Sequence, residues 1–422
     1  MLRYVVKKAF LGGEMFINIS TNLKKLAKYF PENLYVVGGY VRNQILGIES
    51  GDVDLASSVN IEEVANRLKD TNFVVKVKNL KMGAISISVG RETYEYTAFR
   101  KEVYEEVGTH YPSKVVPTDK IEEDSQRRDL SINAIYYNIN KDEVVDYYQG
   151  IIDLKQRLIR SIRNAEEIFS TDSERILRMV RIAGELNFKI ETNTLKTAMK
   201  YAKNLEHLQG SRKLGEIEKI LYCDKRYNLS KNALKRALEL LNDLQIWQYF
   251  GLGVKKVKYK KVYEVEDRFL GLLIDIVDSE KPECLEEFLE EFLTKQFTIK
   301  MQEKIFDYLS GYYYALEGLA NKEYFFKFYK DWAFIYPLLC GKTKRIQTKY
   351  NFFYQYIIEH GLVIATSDLA VDENDIKKNF KNIDKRSYTR ILKNLLSKVF
   401  DGKLKNEKRI LLAEIEKNLQ NY

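Results

Sequence analysis

LYVVGGYVRNQILGIESGDVDLAS, residues 34–57, decides how the rest of the chain is read. An apolar run from Leu34 to Val37 stops at Gly38 and Gly39, and residues 40–46 then carry apolar side chains at helical spacing. The stretch therefore reads as strand, tight turn and helix. Paired glycines let the backbone approach a ligand closely, and a helix start offers N–H groups to an anion. Arg42 adds a charge-assisted fork to the same anion, and Gly39 lies at the turn itself. In GDVDLAS, Asp52 and Asp54 stand two apart in a run that reads as a strand, so both carboxylates are expected on one face. Like charges held side by side repel unless a cation lies between them, and oxygen ligands suit a divalent one. A bare D-x-D also fits a solvated loop or a Ca²⁺-type turn. The phosphate-type turn before it favours the metal reading.

The composition sets bounds. A chain of 422 residues is too long for one ordinary core and implies several domains. The net charge of +9 favours a polyanionic partner, but 69 basic residues against 60 acidic ones means the positive charge has to be gathered into patches. Cys223, Cys284 and Cys340 lie far apart, which excludes a disulfide framework or a C-x-x-C zinc site and suits a reducing cytoplasm. No apolar run approaches a membrane span, and residues 1–13 are too charged and short for a secretory signal. Met15 reads as an alternative start, with the polar end of FINIS capping a helix over 21–29; detection of Met1 peptides in the native protein would remove that idea.

Four motifs in order, GGYVRN, GDVDLAS, RRDLSINA and DSERILRMVR, resemble those of the class II tRNA nucleotidyltransferase and bacterial poly(A) polymerase family, over roughly residues 30–222. The resemblance implies an α+β fold: a small nucleotidyltransferase head with a mixed or antiparallel sheet at 15–155, a helical nucleotide-selecting neck at 156–225, and a helical, tRNA-binding body and tail at 226–422. It implies two Mg²⁺ ions held by Asp52 and Asp54, with Glu95 as a third carboxylate. It also implies addition of C and A from CTP and ATP to the tRNA 3′ end. A poly(A) polymerase, or an enzyme adding only CC or only A, shares every one of these motifs. From another class, an inactive RNA-binding protein would need to have lost a carboxylate, and both are present. A hydrolytic HD-type site is not supported, since none of the three histidines, His110, His207 and His360, precedes an Asp.

The chain between the motifs reads as elements of such a head. Asn60 is placed to cap a helix over 61–69, and runs at 73–77, 84–89 and 93–99 read as an antiparallel meander. Residues 101–118, with Gly108, Pro112 and Pro117, read as a long loop. By resemblance that loop helps the site change from C to A addition, and His110 stands where many relatives carry arginine. A short acidic helix from 121 leads to Arg127 and Arg128; the resemblance places Arg128 on the incoming nucleotide and has Asp129 orient an arginine. Residues 140–142 read as a hairpin turn.

From Asn164 the pattern is helical. Asp172, Arg175, Arg178 and Arg181 recur every three residues on a slowly rotating face. By periodicity alone this is an arginine face paired to acids such as Glu174 and Glu185; the motif order makes it resemble the family's nucleotide-reading helix. A carboxylate accepts from an exocyclic amine and an arginine donates to a ring acceptor, so Asp172 with Arg175 suits cytosine and adenine and rejects uracil and guanine. A good bidentate pair discriminates by roughly 1–3 kcal/mol. The chain departs from the family's usual residues at Asn43 and Thr171, where aspartate and glutamate are common. Arg212 and Glu216, four apart in GSRKLGEIEKIL, read as a helix pair. Beyond residue 225, aromatic and basic residues interleave at 322–339 and 350–358, and 385–419 is amphipathic and basic, suited to RNA phosphates.

Overall fold

The structure is a computed structural model that describes residues 4–6, 9–10, 13–14, 17–105, 112–317, 359, 361–363, 365–380 and 383–419. The aromatic runs at 322–339 and 350–358, together with His110 and His360, lie outside the described residues. Two compact units divide the chain, Met1–Lys256 and Val257–Tyr422.

The first unit is built on an eight-stranded mixed sheet. Its order is Tyr4–Val6, Glu143–Asp146, Ile135–Asn138, Tyr35–Val37, Asp54–Ser57, Glu92–Ala98, Ala84–Val89 and Val74–Asn79. The pairing of Asp54–Ser57 with Glu92–Ala98 is parallel and the rest of this sheet is antiparallel. The meander and the hairpin across residues 140–142 take the expected places, each pair of strands joined by an antiparallel ladder. Val37, Ala56, Phe99, Ile121, Tyr136, Val145 and Tyr147 form one apolar cluster in this unit. Helix Thr21–Ala27 is capped by Ser20 and helix Ile61–Leu68 by Asn60, each side chain accepting an orphan amide.

Two readings need correction. The segment 101–118 is not loop throughout: Arg100–Val103 pairs with Lys114–Pro117 as an antiparallel ribbon, leaving only its tip outside the described residues. Arg212 and Glu216 do not pair. Arg212 reaches Glu174 at 2.9 Å and Glu216 receives Arg181 at 2.8 Å, both from the neck helix, while Lys219 of its own helix meets Glu216 at 2.7 Å from the i+3 position.

The neck helix Glu174–Leu186 buries Ile176, Leu177, Met179, Val180, Ile182 and Ala183. Gly184 lets the next elements close on it: a Cβ there would lie 2.9 Å from Cys223 Sγ and 3.1 Å from Ala237 Cβ.

The second unit is helical in its described parts. Helix Arg268–Glu280 supplies the buried Asp275, whose carboxylate accepts the amides of Lys260, Lys261 and Val262 at 2.7–3.0 Å. Asp275→Ala leaves these amides without acceptors and is expected to destabilise this unit by about 1–3 kcal/mol, read from its denaturant midpoint. Burial pushes the Asp275 carboxyl up to about 6 from 3.8. The folded state therefore holds more protons between these values, and the contribution of this carboxyl to stability falls as pH rises through that window. A midpoint difference between wild type and variant that does not change across it would refute the assignment. Farther on, helices Glu373–Asn379, Tyr388–Phe400 and Lys408–Lys417 pack around Ile376, Ile391, Leu395, Leu396, Leu411 and Ile415.

Candidate active site

One cavity of about 1100 Å³ in the first unit gathers most of the residues singled out from sequence. Gly39, Arg42, Asp52, Asp54, Arg128, Asp172, Arg175, Arg178 and Arg181 all line it. Glu95 is not among the lining residues.

The floor is the strand–turn–helix. Gly38 has φ +78°, a conformation natural to glycine. A Cβ there would sit 3.7 Å from both Asp54 Oδ2 and Arg128 Nη1, so the turn presses directly against a carboxylate and a guanidinium. The helix that follows, Gly39–Ile45, is a short one.

The two aspartates reach the cavity by a route other than the expected one. The strand begins at Asp54, and Asp52 lies in the non-strand segment before it, because the ladder to Tyr35–Val37 stops at the Val37–Asp54 pair. Asp52 is 81% exposed at its side chain and pairs with Arg226 at 2.5 Å. Asp54 opens to the cavity but is walled by protein. That enclosure raises its pKa, Glu95 and Asp52 push the same way, and Arg128 and Arg178 oppose them. Glu95 is the direct register partner of Asp54 on the parallel strand and is held in an ion pair by Lys78.

Above the floor lies a network of arginines and acids. Asp124 is fully buried, accepts from Arg127 Nε at 2.8 Å and from Tyr136 Oη at 2.5 Å, and lies 3.5 Å from Arg128. Arg128 donates through Nε to Tyr136 Oη at 2.8 Å and stacks its guanidinium over that ring at 4.9 Å. Asp129 accepts from Arg178 at 2.8 Å, as the resemblance implied. Burial alone would raise the Asp129 pKa, but Arg178 and Arg175 hold it well below the usual carboxylate range.

The neck supplies the wall. Asp172 accepts the amide of Glu174 at 3.1 Å and Arg175 Nε at 3.1 Å, so the pair expected to read the base is joined and buried. Tyr104 accepts from Arg175 at 3.4 Å and donates to Glu102 at 2.9 Å, linking the wall to the Arg100–Val103 ribbon. Arg181 turns away to Glu185 and Glu216, at 3.0 and 2.8 Å. At position 171, the Thr171 hydroxyl donates to the Glu167 carbonyl at 2.7 Å.

Several lining residues carry no local sequence signal. Arg226 and Tyr227 follow the neck yet touch Asp52 and Arg42, 174 and 185 residues earlier. Asn133 lies within RRDLSINA without a role assigned to it there, and Glu102 lies in the stretch that reads as a loop.

The donor chemistry fits a divalent ion. Asp52 and Asp54 offer only hard oxygen ligands, and the repulsion felt by Asp54 is the kind a cation relieves. Among the described residues no group of three or more His, Cys, Asp or Glu forms a closed metal cage. That suits an ion completed by water and phosphate oxygens.

Residues 34–160, the sheet-bearing part of this unit, match the poly A polymerase head domain family, a match that covers less than half of the chain. Among curated relatives, the CCA-adding enzyme of Ligilactobacillus salivarius is 34% identical over 235 residues, 55% of this chain and 54% of that one. The CCA-adding enzyme of Lactococcus lactis subsp. cremoris is 27% identical over 430 residues, covering 96% and 98%. The chain thus spans about half the length of the first of these relatives. The structure of the Bacillus stearothermophilus CCA-adding enzyme in complex with CTP aligns with TM-score 0.54 at 20% identity, over 94% of this chain and 98% of that one. The Thermotoga maritima CCA-adding enzyme complexed with tRNA aligns at 0.55 and 21%, over 95% and 96%. At these identities the likeness is one of fold. No helix among the described residues is long and apolar enough to cross a membrane.

Proposed function

We propose that the chain adds C and A nucleotides from CTP and ATP to the 3′ end of tRNA in the cytoplasm, releasing pyrophosphate, with Mg²⁺ as the metal. The observation that carries this reading is the single cavity in which carboxylates, arginines and a buried Asp–Arg pair converge. A divalent ion held by Asp52 and Asp54 supplies Lewis acidity at the α-phosphate and lowers the pKa of the primer hydroxyl. Glu95, in register beside Asp54, adds negative charge that strengthens their hold on a cation. The Gly39 turn, Arg42 and Arg128 bind the triphosphate, and Arg128 is aimed by Asp124 and Tyr136. Asp172 and Arg175 select the base, Arg178 is fixed to Asp129, and Arg181 supports the helix through Glu185 and Glu216. The proposed division gives catalysis to 15–155, base selection to 156–225 and tRNA contact to 226–422, with Arg226 and Tyr227 reaching back into the cavity. Exposed Lys393, Lys403, Lys405, Lys408 and Arg409 in the tail suit RNA phosphates.

The test offers labelled CTP and ATP, separately and together, to a tRNA trimmed at the discriminator position, and sequences the product. Ordered C, C and A supports the reading; a run of A on any RNA 3′ end identifies a poly(A) polymerase instead. Arg175→Ala is expected to relax the choice among the four nucleotides by roughly 1–3 kcal/mol, about 5- to 150-fold, in a competition assay. Unchanged selectivity would count against base reading by this residue.

A further inference from the structure

Arg42 differs from the other arginines of the cavity in the charge of its partners. Arg128, Arg175, Arg178 and Arg181 each face a carboxylate at 2.8–3.5 Å. Arg42 is only 4% exposed, yet its acceptors among the described residues are all neutral. Asn43 Oδ1 takes Nε and Nη2 at 3.0 and 2.9 Å, Asn133 Oδ1 takes Nη1 at 2.7 Å, and Tyr227 Oη takes Nη2 at 3.2 Å. Four of its five N–H donors meet these neutral acceptors, its charge is not balanced by direct contact, and burial accordingly lowers its pKa.

Tyr227 has a matching peculiarity. Its phenolic oxygen accepts from Arg42 at 3.2 Å and from Asn43 Nδ2 at 3.0 Å, which occupies its acceptor capacity. Its hydroxyl proton meets no acceptor among the described residues, and the residue lines the cavity. Arg42, Asn43, Asn133 and Tyr227 thus present one positive charge and one spare O–H donor at the same place. Chemically that is a receptor for an oxyanion.

We propose that Asn43 and Tyr227 complete the phosphate end of the nucleotide site: a neutral clamp leaves the full charge of Arg42 to a phosphoryl oxygen, and Tyr227 donates its hydroxyl to the same group. The inference rests on the nucleotidyl-transfer reading and adds to it a binding residue from beyond the neck. The group recognised is the pyrophosphoryl part shared by nucleoside triphosphates and inorganic pyrophosphate, so the contact is blind to the base.

The test is calorimetric binding of inorganic pyrophosphate, and separately of cytidine, to the full chain with Mg²⁺. Tyr227→Phe removes the donor and keeps the ring, and is expected to weaken pyrophosphate binding about tenfold while leaving cytidine binding unchanged. KM for CTP and ATP should rise by one common factor, with kcat little altered. Wild-type pyrophosphate affinity in Tyr227→Phe, or a change in the CTP to ATP ratio in place of a common factor, overturns the proposal. A wild-type chain that adds nothing to trimmed tRNA overturns the functional reading beneath it.

Discussion

Asp54→Ala is expected to abolish nucleotide incorporation, by roughly 10²–10³-fold or more, while leaving tRNA binding and folding intact. The expectation rests on what surrounds the carboxylate. Asp54 faces Glu95 across a parallel register and shares the cavity with Asp52, so until a cation arrives its negative charge costs the fold more than Arg128 and Arg178 return. Removing it relieves repulsion, and the melting temperature of the variant should match or exceed that of wild type. A residue important only for the fold would show the reverse. Turnover at more than a few per cent of wild type would refute the metal assignment, whatever the fold does.

Asp124→Ala is expected to fail in the opposite manner, losing about 3–5 kcal/mol of stability in the first unit. Its carboxylate is wholly buried and takes hydrogen bonds from Arg127, Tyr136 and the amide of Arg100, so its loss strands two guanidinium groups. Burial works to raise its pKa, but Arg127 and Arg128 prevail and hold it below the ordinary carboxylate range. The stability it supplies is therefore present above about pH 4 and is lost as pH falls toward the lower folded value. Denaturant titrations at pH 7 and at acid pH should show the gap between wild type and variant narrowing as pH drops. Nucleotide affinity should fall as well, because Arg128 loses the group that aims it. A variant as stable as wild type at neutral pH would show that the arginines find other partners.

Where structure followed sequence, a short-range physical rule was at work. Short strand-like runs gave the meander, Ser20 and Asn60 gave helix starts, and the glycine pair gave the turn that lies beside Asp54 and Arg128. The three-residue recurrence from Asp172 gave the wall of the cavity, although Arg181 serves Glu185, which periodicity alone suggested, and Glu216, which it did not. What stayed hidden depended on distance along the chain or on competition between partners. Nothing in the sequence near Arg226 or Tyr227 signals Asp52 or Arg42. The rule that places residues two apart on one face applies only inside a strand, and the strand starts at Asp54, two residues too late to cover Asp52. Likewise Arg212 and Glu216 each found a better partner on another helix than the one four residues away.

The parallel pairing of Asp54–Ser57 with Glu92–Ala98 carries a consequence for how this head can be divided. Asp54 and Glu95 are neighbours only through backbone hydrogen bonds between strands that a helix and two further strands separate along the chain. No shorter fragment that ends before residue 98 can bring Asp54 and Glu95 together, and an engineered split or insertion inside 58–91 is harmless only if it lets that ladder form. On the proposed function, catalytic competence would be a readout of completed sheet assembly, and a nascent or clipped head would be silent rather than partly active.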